Sequence, residues 1–270
     1  MRTEFLEVPG GRLAYEVTGA DDRPLVVCAH GMGDTRASYR FLAPALVEAG
    51  YRVATMDLRG HGESSAHWPA YSARSLGEDI LALIRHLGAP ATVIGHSISC
   101  GSAIWAAAEA PEEITSVALI GPFIQDAPMN PVMRLATAAV LRSPRLWSMY
   151  YRSLYPTARP ADFADYVRAL RANLGGPGRM AAVRGLMGTG PECMARIPEV
   201  RCPVLVVMGT RDPDFPDPTA EARLAERLFT PGAARVAVEL VEGGGHYPHA
   251  ELPQLTLPGV REFLAGAVRA

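Results

Sequence analysis

Ser97 stands in Gly95-His96-Ser97-Ile98-Ser99, between a short apolar run, Ala91–Ile94, and a helical pattern, Ser97–Ala110. A sharp turn at such a junction holds the serine in a strained backbone with its hydroxyl exposed. The helix start also favours a negative charge developing on that hydroxyl. The residues two before and two after the serine approach each other and must be small; Gly95 fits, and Ser99, with Gly101 close behind, is small as well. A serine hydroxyl becomes a useful nucleophile only when a base takes its proton. His246 and His249 follow Gly243-Gly244-Gly245, glycines that let a loop swing a side chain towards the turn. Asp212, Asp214 and Asp217 crowd one Pro-rich loop, and Asp126 follows another apolar run. Each could orient a histidine, or could merely cap the helix after it. Ser97 itself could sit in an ordinary Gly-Ser turn. His246 and His249 as metal ligands lack a completing Cys, His or Asp cluster, so no metal is expected.

Composition narrows the chemistry further. All 26 basic residues are arginine, so mechanisms that need an amine are excluded: a Walker phosphate loop, a Schiff base, a Ser-Lys dyad. The Arg- and Ala-rich usage points to a bacterial source. Net charge is −2, which favours neither nucleic acid nor an anionic membrane surface. Residues 1–10 show no basic start and no apolar run, so no signal peptide is expected, and no stretch reaches the roughly 18 apolar residues of a span. Cys28, Cys100, Cys193 and Cys202 are scattered without metal spacing, which reads as reduced, buried thiols in a cytoplasmic protein.

The elements that must position these residues alternate. Glu4–Val8 and Arg12–Thr18 form a hairpin pattern, the second with Leu13, Tyr15 and Val17 on one face. Strand patterns at Leu25–Ala29, Tyr51–Met56, Ala91–Ile94 and Ile114–Ile120 are separated by helical patterns at Tyr39–Ala49, Leu76–Leu87 and Ser97–Ala110. Alternation of this kind predicts a mostly parallel sheet with helices on both faces. From Ile124 to Pro198 the chain reads as helices broken by Pro and Gly. The alternation then resumes with Pro203–Met208, Thr219–Phe229, Arg235–Val241 and Val260–Val268. In such sheets ligands bind beyond the carboxyl ends of the strands.

Read there, the junctions resemble the α/β-hydrolase superfamily. Gly95-His96-Ser97-Ile98-Ser99 resembles its G-x-S-x-G nucleophile elbow, departing from it only at Ser99. His30-Gly31-Met32 resembles the loop after its third strand, and Asp57-Leu58-Arg59-Gly60-His61-Gly62-Glu63-Ser64 a tight turn beside its site. A competing dinucleotide fingerprint at Gly31-Met32-Gly33 fails, because Arg36 holds its third glycine position. The order Ser97, Asp212, His246 is that of the superfamily's triad.

The resemblance implies Ser97 as nucleophile, Asp212 as the acid and His246 as the base, with the backbone N–H groups of Met32 and Ile98 as oxyanion hole. Asp126, Asp214, Asp217 and His249 are the rivals; His30 and His96 read as structural, and His61, His67 and His86 as surface or loop residues. It implies an α/β-hydrolase fold with a core of residues 1–123 and 199–270 and a helical cap at 124–198, inserted after the sixth strand. An apolar stretch of that cap, with Met129, Met133, Leu146, Met149, Tyr150, Leu154 and Tyr155, offers Trp147 and Tyr151 as substrate-binding residues. Arg134, Arg142, Arg145 and Arg152 read as a solvated face. The expected activity is hydrolysis of a small, mainly hydrophobic ester, lactone or thioester, without cofactor, nucleic acid or membrane. A C–C bond hydrolase, a perhydrolase and a hydrolase-like small-molecule receptor are alternatives. Epoxide hydrolases and haloalkane dehalogenases carry Asp where Ser97 stands.

Overall fold

The computed structural model describes residues 2–125 and 130–267. Eight strands form one sheet: β1 Glu4–Val8, β2 Gly11–Thr18, β3 Leu25–Ala29, β4 Arg52–Met56, β5 Ala91–His96, β6 Ile114–Ile120, β7 Val204–Gly209 and β8 Val236–Val241. Their spatial order is β1-β2-β4-β3-β5-β6-β7-β8. The pairs β1–β2 and β2–β4 are antiparallel, and all later pairs are parallel. The central strands β3, β5 and β7 are buried along their whole length, as strands covered on both faces must be.

Strand periodicity divides the interior into two layers. Val27 and Ala29 face α2 (Ala73–Leu87), α3 (Ile98–Glu109) and α9 (Pro218–Phe229), packing with Leu76, Ile80, Ala103 and Phe229. Val26 and Cys28 face α1 (Leu42–Glu48) and α11 (Pro253–Ala267), with Leu42, Leu46, Val260 and Phe263. Between β6 and β7 the described elements are helical: α4 Pro131–Val140, α5 Pro144–Ser153, α6 Phe163–Leu174, α7 Arg179–Leu186 and α8 Pro191–Met194, then a 3-10 turn at Ile197–Glu199. Trp147, Tyr151, Tyr155, Phe163 and Val167 form a third apolar cluster there, and it closes onto Tyr247 and Ala250 beside α10 (Pro248–Glu251).

Two helices start earlier than their apolar pattern suggests. α2 begins at Ala73 because the side chains of Ser72 and Ser75 each accept the other's backbone N–H, a reciprocal cap. α11 begins at Pro253 and continues through Pro258, where the sequence pattern starts it at Val260. Pro258 and Gln254 both face solvent, so the carbonyl deprived of its helical donor can bond water instead. Residue 268, the expected end of that helix, lies outside the described residues.

One buried ion pair secures the turn after β4. Arg59 donates two hydrogen bonds of 2.7 Å to Asp79 on α2, and its guanidinium lies over the Trp68 ring at 4.6 Å. Removing one partner strands the other charge in the interior. Asp79→Ala should therefore lower the unfolding free energy by about 3–5 kcal/mol in urea titrations. A loss under ~1 kcal/mol would show that solvent reaches the guanidinium.

Candidate active site

Ser97 lies between the end of β5 and the start of α3, with φ 55° and ψ −119°. Among the described residues it is the one non-glycine with positive φ. Its N–H bonds the carbonyl of Ile120 at 2.9 Å, which ties the turn to β6. Gly95 has no alternative here: a Cβ would lie 2.4 Å from the Ser99 carbonyl oxygen. Ser99 tolerates its side chain because the hydroxyl turns away and donates to the His30 carbonyl at 2.6 Å. The Ser97 hydroxyl makes no hydrogen bond to a described residue.

The loop after β3 presses against this turn. A Cβ on Gly31 would lie 3.2 Å from the Ser97 Cβ. Met32 N–H has no acceptor among the described residues, and Ile98 N–H, first in its helix, has none within that helix. Two histidines hold the loop. His30 Nε2 accepts the Leu58 N–H at 3.1 Å, with Nδ1 on the Gly31 carbonyl at 2.7 Å. His61 Nε2 accepts the Gly33 N–H at 3.0 Å, with Nδ1 on the Arg59 carbonyl at 3.0 Å. Burial pushes both imidazoles down to about 3, which keeps them neutral and able to accept. His61 is thus fully buried, which corrects its reading as a surface residue; His67 and His86 are exposed. Asp57 accepts the backbone N–H groups of Arg36 at 2.7 Å and Glu63 at 2.9 Å, the turn-shaping role expected of it.

Asp212 follows β7 and His246 follows β8. Their loops touch where a Cβ on Gly209 would lie 2.2 Å from the Gly245 carbonyl oxygen. His246 Nδ1 lies 2.7 Å from Asp212 Oδ2. Next to Ile120, Gly121 abuts the same imidazole: its missing Cβ would sit 3.1 Å from Cε1. The end of β6 thus touches both residues: Ile120 accepts the Ser97 N–H, and Gly121 abuts the His246 ring. His96 Nε2 bonds the His246 carbonyl at 2.9 Å, a packing role.

The rivals separate by position. Asp217 caps α9, accepting the Ala220 N–H at 2.9 Å. Asp126 and Met129 lie outside the described residues. His249 is buried against the Tyr39 ring, with both nitrogens unbonded. Asp214 has its own place at the site. Its Oδ2 is 3.8 Å from His246 Nε2, and the Tyr150 hydroxyl holds it through contacts of 2.7 and 2.8 Å. Asp212, Asp214 and His246 are close enough to share a cation, but the 2.7 Å Nδ1–carboxylate contact is accounted for by a hydrogen bond.

Burial alone would lower the basicity of His246. The charge and hydrogen bond of Asp212, and then the charge of Asp214, outweigh it and raise the imidazole to about 9. Burial also pushes Asp214 up, against the pull of His246.

Trp147 and Tyr151 do not line open space. Trp147 Nε1 donates to the Gly33 carbonyl at 3.0 Å, and Tyr151 donates to Asp34 at 3.0 Å. Both are buried, and these bonds anchor the inserted helices to the loop after β3. Asp34 also accepts from Tyr166 and from the Thr35 N–H; burial, opposed by these bonds, raises its carboxyl to about 6. Met133, Leu146 and Met149 point into solvent. Phe123 flanks His246 5.7 Å away edge to face, and Phe215 lies tilted against Phe123 at 4.6 Å. Both are half-buried, and neither belongs to a sequence motif.

Comparison with known proteins places this arrangement. The family model described as serine aminopeptidase, S33, matches residues 20–253. Bifunctional epoxide hydrolase 2 of Sus scrofa is 37% identical over 128 residues, 46% of this chain and 22% of that one. Epoxide hydrolase A of Mycobacterium tuberculosis is 29% identical over 72% of this chain and 62% of its own length. The chain thus spans less than two thirds of either protein. A 2-(acetamidomethylene)succinate hydrolase of Mesorhizobium japonicum is 26% identical over 94% of this chain and 92% of its own. A monoacylglycerol lipase of Mycolicibacterium smegmatis is 28% identical over 77% and 78%. The crystal structure of a Bacillus anthracis bromoperoxidase superposes with a TM-score of 0.82 at 21% identity, covering 98% of this chain and 100% of that one. At that identity the likeness shows the fold alone. No described helix is long and apolar enough to cross a membrane. With a matching family model over most of its length and the eight-stranded sheet to carry it, the chain belongs to the serine aminopeptidase S33 family of α/β-hydrolase enzymes.

Proposed function

We propose that this hydrolase cleaves a small, mainly hydrophobic carboxylic ester, lactone or thioester through an acyl-enzyme on Ser97, with His246 as base and Asp212 as its orienting acid. The observation that supports the reading is the strained Ser97 turn, its hydroxyl unbonded among the described residues, tied at Ile120 to the strand end whose next residue, Gly121, abuts an imidazole held at Nδ1 by Asp212 at 2.7 Å. Asp212 fixes the tautomer that leaves Nε2 free to take the Ser97 proton, and stabilises the imidazolium that results. The idle amides of Met32 and Ile98 would receive the oxyanion, each worth about 3–4 kcal/mol in the transition state. His246 then returns the proton to the leaving group, and water releases the acyl group. Phe123 and Phe215 offer the acyl chain an apolar wall. Serine at position 97, where epoxide hydrolases carry Asp, favours this chemistry over that of the epoxide hydrolase relatives. Residues 124–198 act as the cap on a core of 1–123 and 199–270, and their anchoring through Trp147 and Tyr151 keeps water from the site.

Two results test this reading. Ser97→Ala should lower kcat on p-nitrophenyl esters by on the order of a millionfold with thermal melting nearly unchanged, and Asp212→Asn should lower it by on the order of ten-thousandfold, with KM nearly unchanged in both. Full turnover by Ser97→Ala would end the assignment.

The second result is a pH profile. An imidazole held at about 9 is protonated at neutral pH and cannot act as a base, so kcat/KM of the free enzyme should climb through that pH. The same raised value stabilises the fold fully below pH 6.5, a contribution lost as pH rises through about 9. Asp214→Asn removes one of the two negative charges on the ring. It should move the acid limb of kcat/KM down by about one pH unit. An unmoved limb would mean that Asp214 has no electrostatic hold on the base.

A further inference from the structure

The outer face of α4 and α5 is left open by the described residues. α4 buries none of its residues. Val132, Leu135, Ala136 and Ala139 recur at the spacing of one helical face, and all four are exposed. Val132 is 77% exposed, Leu135 74%, and Met149 on α5 66%. Apolar side chains so open to water cost free energy unless something covers them.

The charges around this face indicate what covers it. Residues 127–161 hold five arginines, Arg134, Arg142, Arg145, Arg152 and Arg159, and no acidic residue, in a chain whose net charge is −2. None of these arginines forms an ion pair with a carboxylate among the described residues. Arg142 and Arg145, with Arg171 of α6, also border an open depression of about 400 Å³ at the start of α5. A second copy of this chain fits poorly, because a twofold interface would set arginine against arginine. The partner has to be anionic and apolar at once.

We infer that the outer face of α4 and α5 docks on an anionic lipid surface, with the α4 stripe among the acyl chains and the arginines on the headgroups. A helix with an apolar stripe and arginines at its borders lies in the interfacial plane and does not span. The whole-chain charge conceals this feature, since the excess of acid elsewhere cancels it. The opposite face of α5 carries Trp147 and Tyr150, which reach Gly33 and Asp214, so a lipid surface at one face lies one helix diameter from the candidate site at the other. The docking surface stands without the ester reading; that reading adds only that an apolar substrate could enter from the same interface.

The test is co-sedimentation of the full chain with vesicles of equal phosphatidylglycerol and phosphatidylcholine, beside vesicles of phosphatidylcholine alone. Binding should favour the anionic vesicles by about tenfold or more and weaken with added salt. The doubles Val132→Gln with Leu135→Gln, and Arg134→Gln with Arg145→Gln, should each weaken it by about tenfold. Both should keep the native melting temperature and the turnover of a soluble short-chain ester. Absence of binding to anionic vesicles would overturn the inference, as would equal binding by the doubles or equal affinity for phosphatidylcholine alone. A dimer dissociated by the Val132 and Leu135 changes would also overturn it, naming a second copy as the true cover.

Discussion

A single left-handed backbone position organises the site. At φ 55° Ser97 cannot continue β5 and has not yet joined α3, so its side chain leaves the sheet at the strand's carboxyl end. A residue held there costs of order 1–3 kcal/mol, and its surroundings must enforce it. Ile120 holds the N–H, Gly95 leaves room for the Ser99 backbone, and Ser99 is pinned in turn to the His30 carbonyl. The neutral, buried His30 and His61 then fix the loop that carries Met32. Each constraint is a hydrogen bond or a steric limit between neighbouring strand ends. The parallel sheet supplies them because it brings all those ends to one edge.

The inserted helices depend on the same edge. Gly33 accepts the Trp147 indole N–H at its carbonyl, and a Cβ there would lie 2.2 Å from the indole ring. One residue on, Asp34 gathers Tyr151 and Tyr166. The loop that bears the candidate oxyanion donor is thus also the seat of α5 and α6. Movement of those helices would be felt at Met32, and Tyr150 carries the same coupling to Asp214 beside His246. This links the outer, lipid-facing side of α5 to the chemistry through one rigid element.

Much of the fold was legible because it is written locally. The buried runs of β3 and β7 and the pairing of β1 with β2 each follow from neighbouring side chains, and the strand–helix order of the whole follows from them. Ser97, Asp212 and His246 stood out because each follows a strand in a short loop of recognisable composition. What escaped is non-local. Asp34, Tyr151 and Tyr166 meet across more than a hundred residues of chain, and no spacing announces it. Phe123 and Phe215 are ordinary loop aromatics until the sheet brings β6 and β7 side by side. His61, flanked by glycines, reads as an exposed turn. It is covered because α7 lies on it so closely that a Cβ on Gly60 would sit 2.1 Å from that of Ala182.

In the proposed mechanism the strained turn presents an activated serine. Labelling with a fluorophosphonate, followed by intact and peptide mass spectrometry, asks this directly, because the reagent forms a stable bond only with a serine whose proton a base removes. One adduct per chain is expected, on Ser97, and none in His246→Ala. An adduct on Ser99 or Ser102, or none in a preparation that turns over esters, would contradict it.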